Sequence, residues 1–181
     1  MYVWGRLARM AATTKARGPY RLGDESRMAF RCLPTDIDRN VHLNNARYMM
    51  LADVGRIDIF LRSGFWTLCR ERGWGPMMGG LESVYVSEIR LWQRFEIVTT
   101  IETWTDRHMI GRHRFVHEDG RTAALILTTL GVYSRADRRF VPIDEVAAAL
   151  GFTGSPRPLT PEEQTFLASH QNIRDMAKAA V

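Results

Sequence analysis

The chain is poor in cysteine and lysine, and it holds no long apolar run. Cys32 and Cys69 are the only cysteines among 181 residues, and they form no C-x-x-C pair. A disulfide framework is not expected, and a reduced, cytosolic setting fits. Each thiol reads as a small buried apolar group rather than a nucleophile. No apolar run approaches the ~18 residues of a membrane span, and there is no secretory apolar segment, so an integral membrane protein is not expected. Acidic residues are missing from residues 1–23, which carry Arg6, Arg9, Lys15, Arg17 and Arg21. The net charge of +5 therefore resides wholly in this arm, and the other residues balance. A basic face for nucleic acid is disfavoured, so no nucleic-acid partner is expected.

The arm also holds Tyr2, Val3, Trp4, Leu7 and Met10 between its basic residues. Three readings stay open: peripheral contact with an anionic membrane surface, a transit-like segment, or an N-terminal helix packed on the body. At this length one domain with terminal extensions is expected, able to bury roughly 70% of its unfolded-chain surface. We place the arm at 1–25, the main domain at 26–143 and a C-terminal helical extension at 144–181.

Residues Arg27 to Leu33 read as a strand ended by Pro34. A wide apolar face then predicts a helix from about Asn45 to Arg62, stopped near Ser63-Gly64. Phe65 to Arg72 adds a turn or two before Gly73-Trp74-Gly75-Pro76, which reads as a break. Leu81 to Leu91, Phe95 to Trp104, Met109 to His117 and Thr122 to Ser134 have the composition of four strands, expected to run as an antiparallel meander. Asp119-Gly120 suits the tight turn between the last two. Arg138 to Val141 adds a short piece, and a helix follows over Asp144 to Leu150. Ser155-Pro156-Arg157-Pro158 reads as a linker. Thr160-Pro161-Glu162-Glu163 starts a final helix, with Thr at the cap, Pro at the first position and a capping-box Glu. Only the long helix is large enough to cover one face of the sheet, giving an α+β domain.

The stretch of greatest chemical interest is 36–48, where Asp36, Asp38, Asn40, His42 and Asn44 alternate with Ile37, Val41 and Leu43. A period of two on extended backbone would place all five polar groups on one side. Asn44 or Asn45 would cap the long helix, so this site would lie at a helix start with its unpaired N–H groups. The spacing Asp36-x-Asp38-x-Asn40 matches the start of a calcium loop, yet the required sixth-position Gly and twelfth-position Glu are Val41 and Arg47. His113 and His117, four apart on a predicted strand, stand about 13 Å from each other, too far for shared zinc ligation. No metal site and no cofactor are expected. Arg90, Arg94, Arg112, Arg135, Arg138 and Arg139 include candidates for holding phosphate, with nothing to choose among them.

Asp38-x-Asn40-x-His42-x-Asn44-Asn45-x-x-Tyr48, lying between a strand and a long helix, resembles the active-site stretch of hotdog-fold acyl thioesterases. It is similar to the plant acyl-ACP enzymes in its Asp-x-Asn-x-His and to the 4-hydroxybenzoyl-CoA type in its Asp. Leu33-Pro34-Thr35-Asp36 also resembles the lead-in found in thioesterase-like proteins of this superfamily. The resemblance implies a hotdog fold, an antiparallel sheet wrapped around one long central helix, over about 26–141. It implies hydrolysis of an acyl-CoA or acyl-ACP, with Asp38 as nucleophile or general base and Asn40 and His42 orienting water and carboxylate. Amides from Asn45 through Ala46 to Arg47 would receive the oxyanion, and Asn44, Asn45 and Tyr48 would hold the turn or line the pocket. Asp36 falls to a turn or cap role. The downstream Glu-Cys pair of the plant enzymes is replaced here by Trp92 and Gln93 in the comparable region, so no Cys nucleophile is available. A hotdog hydratase or dehydratase has Asp-x-Asn-Pro-x-His, one residue longer, and a non-catalytic acyl-binding or scaffold protein is the third reading. The family resemblance also implies a homodimer or homotetramer.

Overall fold

The computed structural model describes residues 3–179; Met1, Tyr2, Ala180 and Val181 lie outside the described residues. The elements are α1 (Trp4–Thr13), a 3-10 turn (Thr14–Arg17), β1 (Ser26–Arg31), α2 (Asn45–Arg62), α3 (Phe65–Arg72), β2 (Trp74–Tyr85), β3 (Arg94–Trp104), β4 (Met109–His117), β5 (Thr122–Ser134), β6 (Arg139–Val141), α4 (Ile143–Ala149) and α5 (Pro161–Ala179). The sheet is antiparallel in the order β1-β3-β4-β5-β2, and β6 pairs with the end of β5. It wraps α2, which gives the α+β hotdog arrangement.

The long helix forms where its periodicity predicts. Tyr48, Leu51, Val54, Ile59 and Phe60 are buried along it. Each such side chain contributes about 1.5–3 kcal/mol on leaving water. To enclose a helix this apolar, the sheet has to curl. Register shifts at Met78/Gly80, Ile101/Thr103 and Phe115/Val116 supply local twist. The helix lies close against the sheet at Gly55, where an added Cβ would lie 2.4 Å from Thr99 Oγ1. Thr99 is itself held, its Oγ1 lying 3.2 Å from Nδ1 of the buried His113. Burial pushes the His113 imidazole down to about 3, so the ring is neutral and the Thr99–His113–Thr128 set is an uncharged interior network.

Several expectations need correction. The meander holds only for β3-β4-β5, because β2 crosses to the far side of β5 and becomes an edge strand. Gly73 to Pro76 is not a break: β2 begins at Trp74, whose neighbours Gly75 and Pro76 pair with Tyr133 and Val132. Pro is tolerated there because an edge strand does not need every N–H. The same strand ends at Tyr85 rather than Leu91. Ser155 to Pro158 is pinned, not slack. Arg157 donates to Glu102 and to the buried Glu163, and its backbone carbonyl accepts from Thr103 Oγ1. The Arg157 hydrogen bond, offset in part by burial, holds the Glu163 carboxyl below its usual range. The predicted capping box closes as Thr160 N–H to Glu163 and Glu163 N–H to Thr160.

The arm packs on the body. Val3 and Met10 are buried in the same cluster as Leu51 and Val54, with Leu7 packed against it. Asp58, fully buried on α2, accepts from Arg17, Arg62 and Ser26 and so ties the arm, α2 and β1 together. The apolar side of α1 is thus spent on the core, leaving Trp4 68% exposed. Among the described residues no helix is long and apolar enough to cross a membrane.

Gly55→Ala is expected to destabilise the fold by about 1–3 kcal/mol through overpacking against Thr99. In a Thr99→Ala background the added cost of Gly55→Ala should fall by at least about half, as read by urea unfolding of the four proteins. Equal costs in both backgrounds would mean that Gly55 is not the point of close approach.

Candidate active site

The 36–48 stretch does not lie extended, because local hydrogen bonds bend it. Asp38 Oδ1 accepts the Asn40 N–H at 2.8 Å, and the Asp38 carbonyl accepts the Val41 N–H at 3.1 Å. Such Asx turns offer the backbone an alternative to a strand. The Asp38 N–H then reaches the His42 carbonyl, Ile37 bridges to Leu43, and Val41 is driven to a φ of 61°. A β-branched residue in that region costs about 1–3 kcal/mol.

Folding the stretch back sends its polar groups to different places. Asp36 is buried, accepts the Leu33 N–H and pairs with Arg6 of the arm, so it is a turn residue with an added ionic partner. Asn40 stands exposed at the tip of the bend. Asp38 and His42 meet, with Oδ2 3.7 Å from Nδ1 and both side chains about three-quarters shielded. Asn44 caps α2, its Oδ1 accepting the Ala46 N–H at 2.9 Å. Its carbonyl takes the Arg47 N–H at 2.8 Å. The amides of Ala46 and Arg47 are therefore engaged, and of the three expected oxyanion donors only the Asn45 N–H lacks an acceptor among the described residues. The Arg47 guanidinium donates to the Thr35 carbonyl and does not line the cavity below.

A cavity of about 250 Å³ opens at this end of α2, lined by His42, Asn45, Tyr48, Tyr85, Ser87 and Glu88 among others. Asp38 lies behind His42 rather than in the lining. Tyr48 is buried with its ring edge-on to Tyr85, centroids 5.1 Å apart. Burial, partly offset by a hydrogen bond at the Ile89 backbone, pushes its phenol up to about 12, so it is a neutral wall of the cavity. Among the predicted residues the fold thus brings together His42, Asn45 and Tyr48, with Asp38 joined through His42. Asn40, Asn44, Ala46 and Arg47 serve the bend, the cap or the other side.

Two polar groups in the cavity lining, Ser87 and Glu88, were not among the site residues expected from sequence; Glu88 accepts from the Arg90 guanidinium. Ser87 Oγ lies 2.8 Å from His117 Nε2, and His117 Nδ1 lies 3.0 Å from Gln93 Nε2. Gln93 Oε1 is already occupied by the Arg90 N–H at 2.9 Å, which sets the amide orientation. Direction then propagates through the chain. The Gln93 amide donates to Nδ1, so the ring donates from Nε2 to Ser87, and the Ser87 proton remains to be given elsewhere. Nothing in local sequence joins Ser87, Gln93 and His117, since only the curl of β4 beside the 86–93 connection makes them neighbours. Both cysteines lie outside this site, and burial pushes their thiols up to about 11.

The model of the thioesterase-like superfamily matches residues 32–150. The chain belongs to the thioesterase-like superfamily. Among curated relatives of this thioesterase-like protein, Protein THEM6 of Xenopus laevis is 33% identical over 110 residues, which are 60% of this chain and 53% of that protein. The match thus spans about half of the relative's length. YbaW of Escherichia coli has the same fold, with a TM-score of 0.65 at 15% identity over 70% of this chain and 96% of its own. So does SAV2348 of Staphylococcus aureus, solved in complex with CoA, with a TM-score of 0.63 at 16% identity over 81% and 96%. The matched region of this thioesterase-like chain contains the bend, α2, Ser87, Gln93 and His117.

Nitrogen-15 spectroscopy of the imidazole ring should find His117 in the Nε2–H tautomer. Gln93→Glu should move the ring to Nδ1–H or to the doubly protonated form, because a carboxylate accepts where the amide donated. A wild-type ring protonated on Nδ1 would contradict the assigned direction.

Proposed function

We propose that the protein hydrolyses an acyl thioester of CoA or acyl carrier protein to the free acid and thiol. The single observation that carries this reading is the cavity at the α2 N-terminus, which joins a carboxylate-backed imidazole to a directed hydroxyl. In the proposed reaction water enters beside His42 and loses a proton to the Asp38–His42 pair as its oxygen attacks the thioester carbonyl. His42 meets the cavity and Asp38 steadies the charged ring, a redistribution of roles relative to direct attack by Asp38. The oxyanion accepts from the Ser87 hydroxyl and the Asn45 N–H; one such donor is typically worth about 3 kcal/mol. Collapse breaks the C–S bond, and the proton held by the pair passes to the leaving thiolate.

The cavity alone is too small to bury an acyl-CoA, since ligand sites run to about 300–1,000 Å³. We propose that a second copy supplies the missing wall as a homodimer, alone or within a tetramer. β2 is an edge strand whose Met77, Met78, Leu81, Val84 and Tyr85 are exposed, with Val86 just beyond. Such an edge invites pairing with another chain. The site needs no metal or organic cofactor for this chemistry. A reduced, cytoplasmic setting remains part of the proposal.

Thiol release from an acyl-CoA panel, from short to long and aromatic, tests the reading. Asp38→Asn and His42→Ala are each expected to lower kcat/KM at least about 100-fold. Ser87→Ala should lower kcat about 100-fold with little change in KM. Binding without thiol release, or hydration of an enoyl-CoA, would defeat hydrolysis in favour of acyl binding or hydratase chemistry. Light scattering should report a dimer or tetramer, and Val84→Lys with Val86→Lys should lower both oligomer and activity.

A further inference from the structure

We infer that the groove between α1 and β1 is a second binding site, for a single long-chain carboxylate. Its volume is about 600 Å³. Phe30 and Leu33 contribute apolar surface over the buried Met10 and Met28, and Arg6, Arg9, Arg17, Arg27, Arg31 and Arg47 surround them. Among the described residues, Asp36 is the only acidic one lining it.

Several of these cations are already balanced. Arg6 pairs with Asp36, Arg17 with Asp58 and Arg27 with Glu25. Arg9 and Arg31 have no acidic partner among the described residues, and both are exposed. Arg6 adds an unmet donor, because its Nη1 is buried with no hydrogen-bond partner while its guanidinium lies over the Phe30 ring, 5.6 Å from the centroid. A buried guanidinium N–H left without an acceptor is costly, and an anionic oxygen relieves that cost.

The lining selects the occupant. Concave apolar surface asks for a chain, and a few cations at its rim ask for one small anionic head. A nucleotide would leave the apolar surface of Phe30 and Leu33 uncompensated. A bilayer would need the apolar side of α1, which faces the core. None of Arg6, Arg9 and Arg31 is among the arginines singled out from sequence as phosphate candidates. The groove lies across the 33–47 segment from the His42 cavity, and the inference does not depend on hydrolysis.

Isothermal titration of the full chain with octanoate, decanoate and laurate, each kept monomeric, tests it. Saturable one-to-one binding is expected, strengthening about fourfold per added methylene until the groove is full. Arg9→Glu with Arg31→Glu should weaken laurate at least tenfold, and Ala29→Trp, which fills the groove without changing charge, should do the same. Both variants should keep the wild-type circular dichroism, and Arg9→Gln with Arg31→Gln replaces the charge reversal if they do not. Asp38→Ala should bind laurate as wild type does. Dodecanol and inorganic phosphate should each bind at least tenfold more weakly. The inference is overturned if laurate fails to saturate, if the groove variants bind it unchanged, or if dodecanol binds equally. Binding to phosphatidylglycerol vesicles without laurate binding would also overturn it, and would assign the arm to a membrane surface.

Discussion

The architecture depends on one close approach, that of α2 to the sheet at Gly55. A helix with this much apolar surface must be enclosed, and enclosure needs strands that curl and a helix that lies against them. The missing Cβ at Gly55 leaves room for Thr99, and Thr99 in turn anchors the neutral His113 in the interior. Register shifts in β2, β3 and β5 turn a flat sheet into a wrap. Once α2 is seated, its N-terminus is fixed relative to the strands, and the bend at 38–41 delivers His42 beside the 85–88 segment. The site is therefore a consequence of how the helix is buried.

Two polar systems outside the cavity complete the body. Asp58, inside the protein, gathers Arg17, Arg62 and Ser26, so that removing the carboxylate would leave charged partners without compensation. Glu163 gathers Arg157 and Arg112 on the outer face and holds the start of α5 against the sheet. The segment before β1 and the start of α5 are thus anchored by carboxylates inside arginine clusters. Together they use Arg17, Arg62, Arg112 and Arg157, in a chain whose only lysines are Lys15 and Lys178. Guanidinium groups suit such sites because a planar fork can meet several acceptors at once.

Much of this was legible in sequence wherever the determinant is local. The bounds of α2 and α3 follow from periodicity and from glycine and serine stops, and β4 and β5 from their β-rich composition and the Asp119-Gly120 turn. The Thr160–Glu163 capping box was readable for the same reason. What could not be read depends on partners distant in the chain. Trp74 to Pro76 looks like a break until Tyr133 and Val132 lie beside it. The polar alternation of 36–44 implies one face only if the backbone stays extended, and the Asp38 side chain competes for the backbone and bends it. Ser87, Gln93 and His117 form a line only through the curl of the sheet. Assignment to the thioesterase-like superfamily agrees with the resemblance carried by Asp38 to Tyr48, whereas the roles of those residues rest on the geometry argued above.

The central claim is that His42 and Ser87 face the same reacting carbonyl. Its most direct test is a crystal structure with a non-hydrolysable acyl-CoA in which a methylene separates sulfur from the ketone carbonyl. The ketone oxygen is expected within hydrogen-bonding distance of Ser87 Oγ, with His42 on the face open to water. A ketone bound away from Ser87, or a His42 ring turned out of reach of that carbonyl, would contradict it.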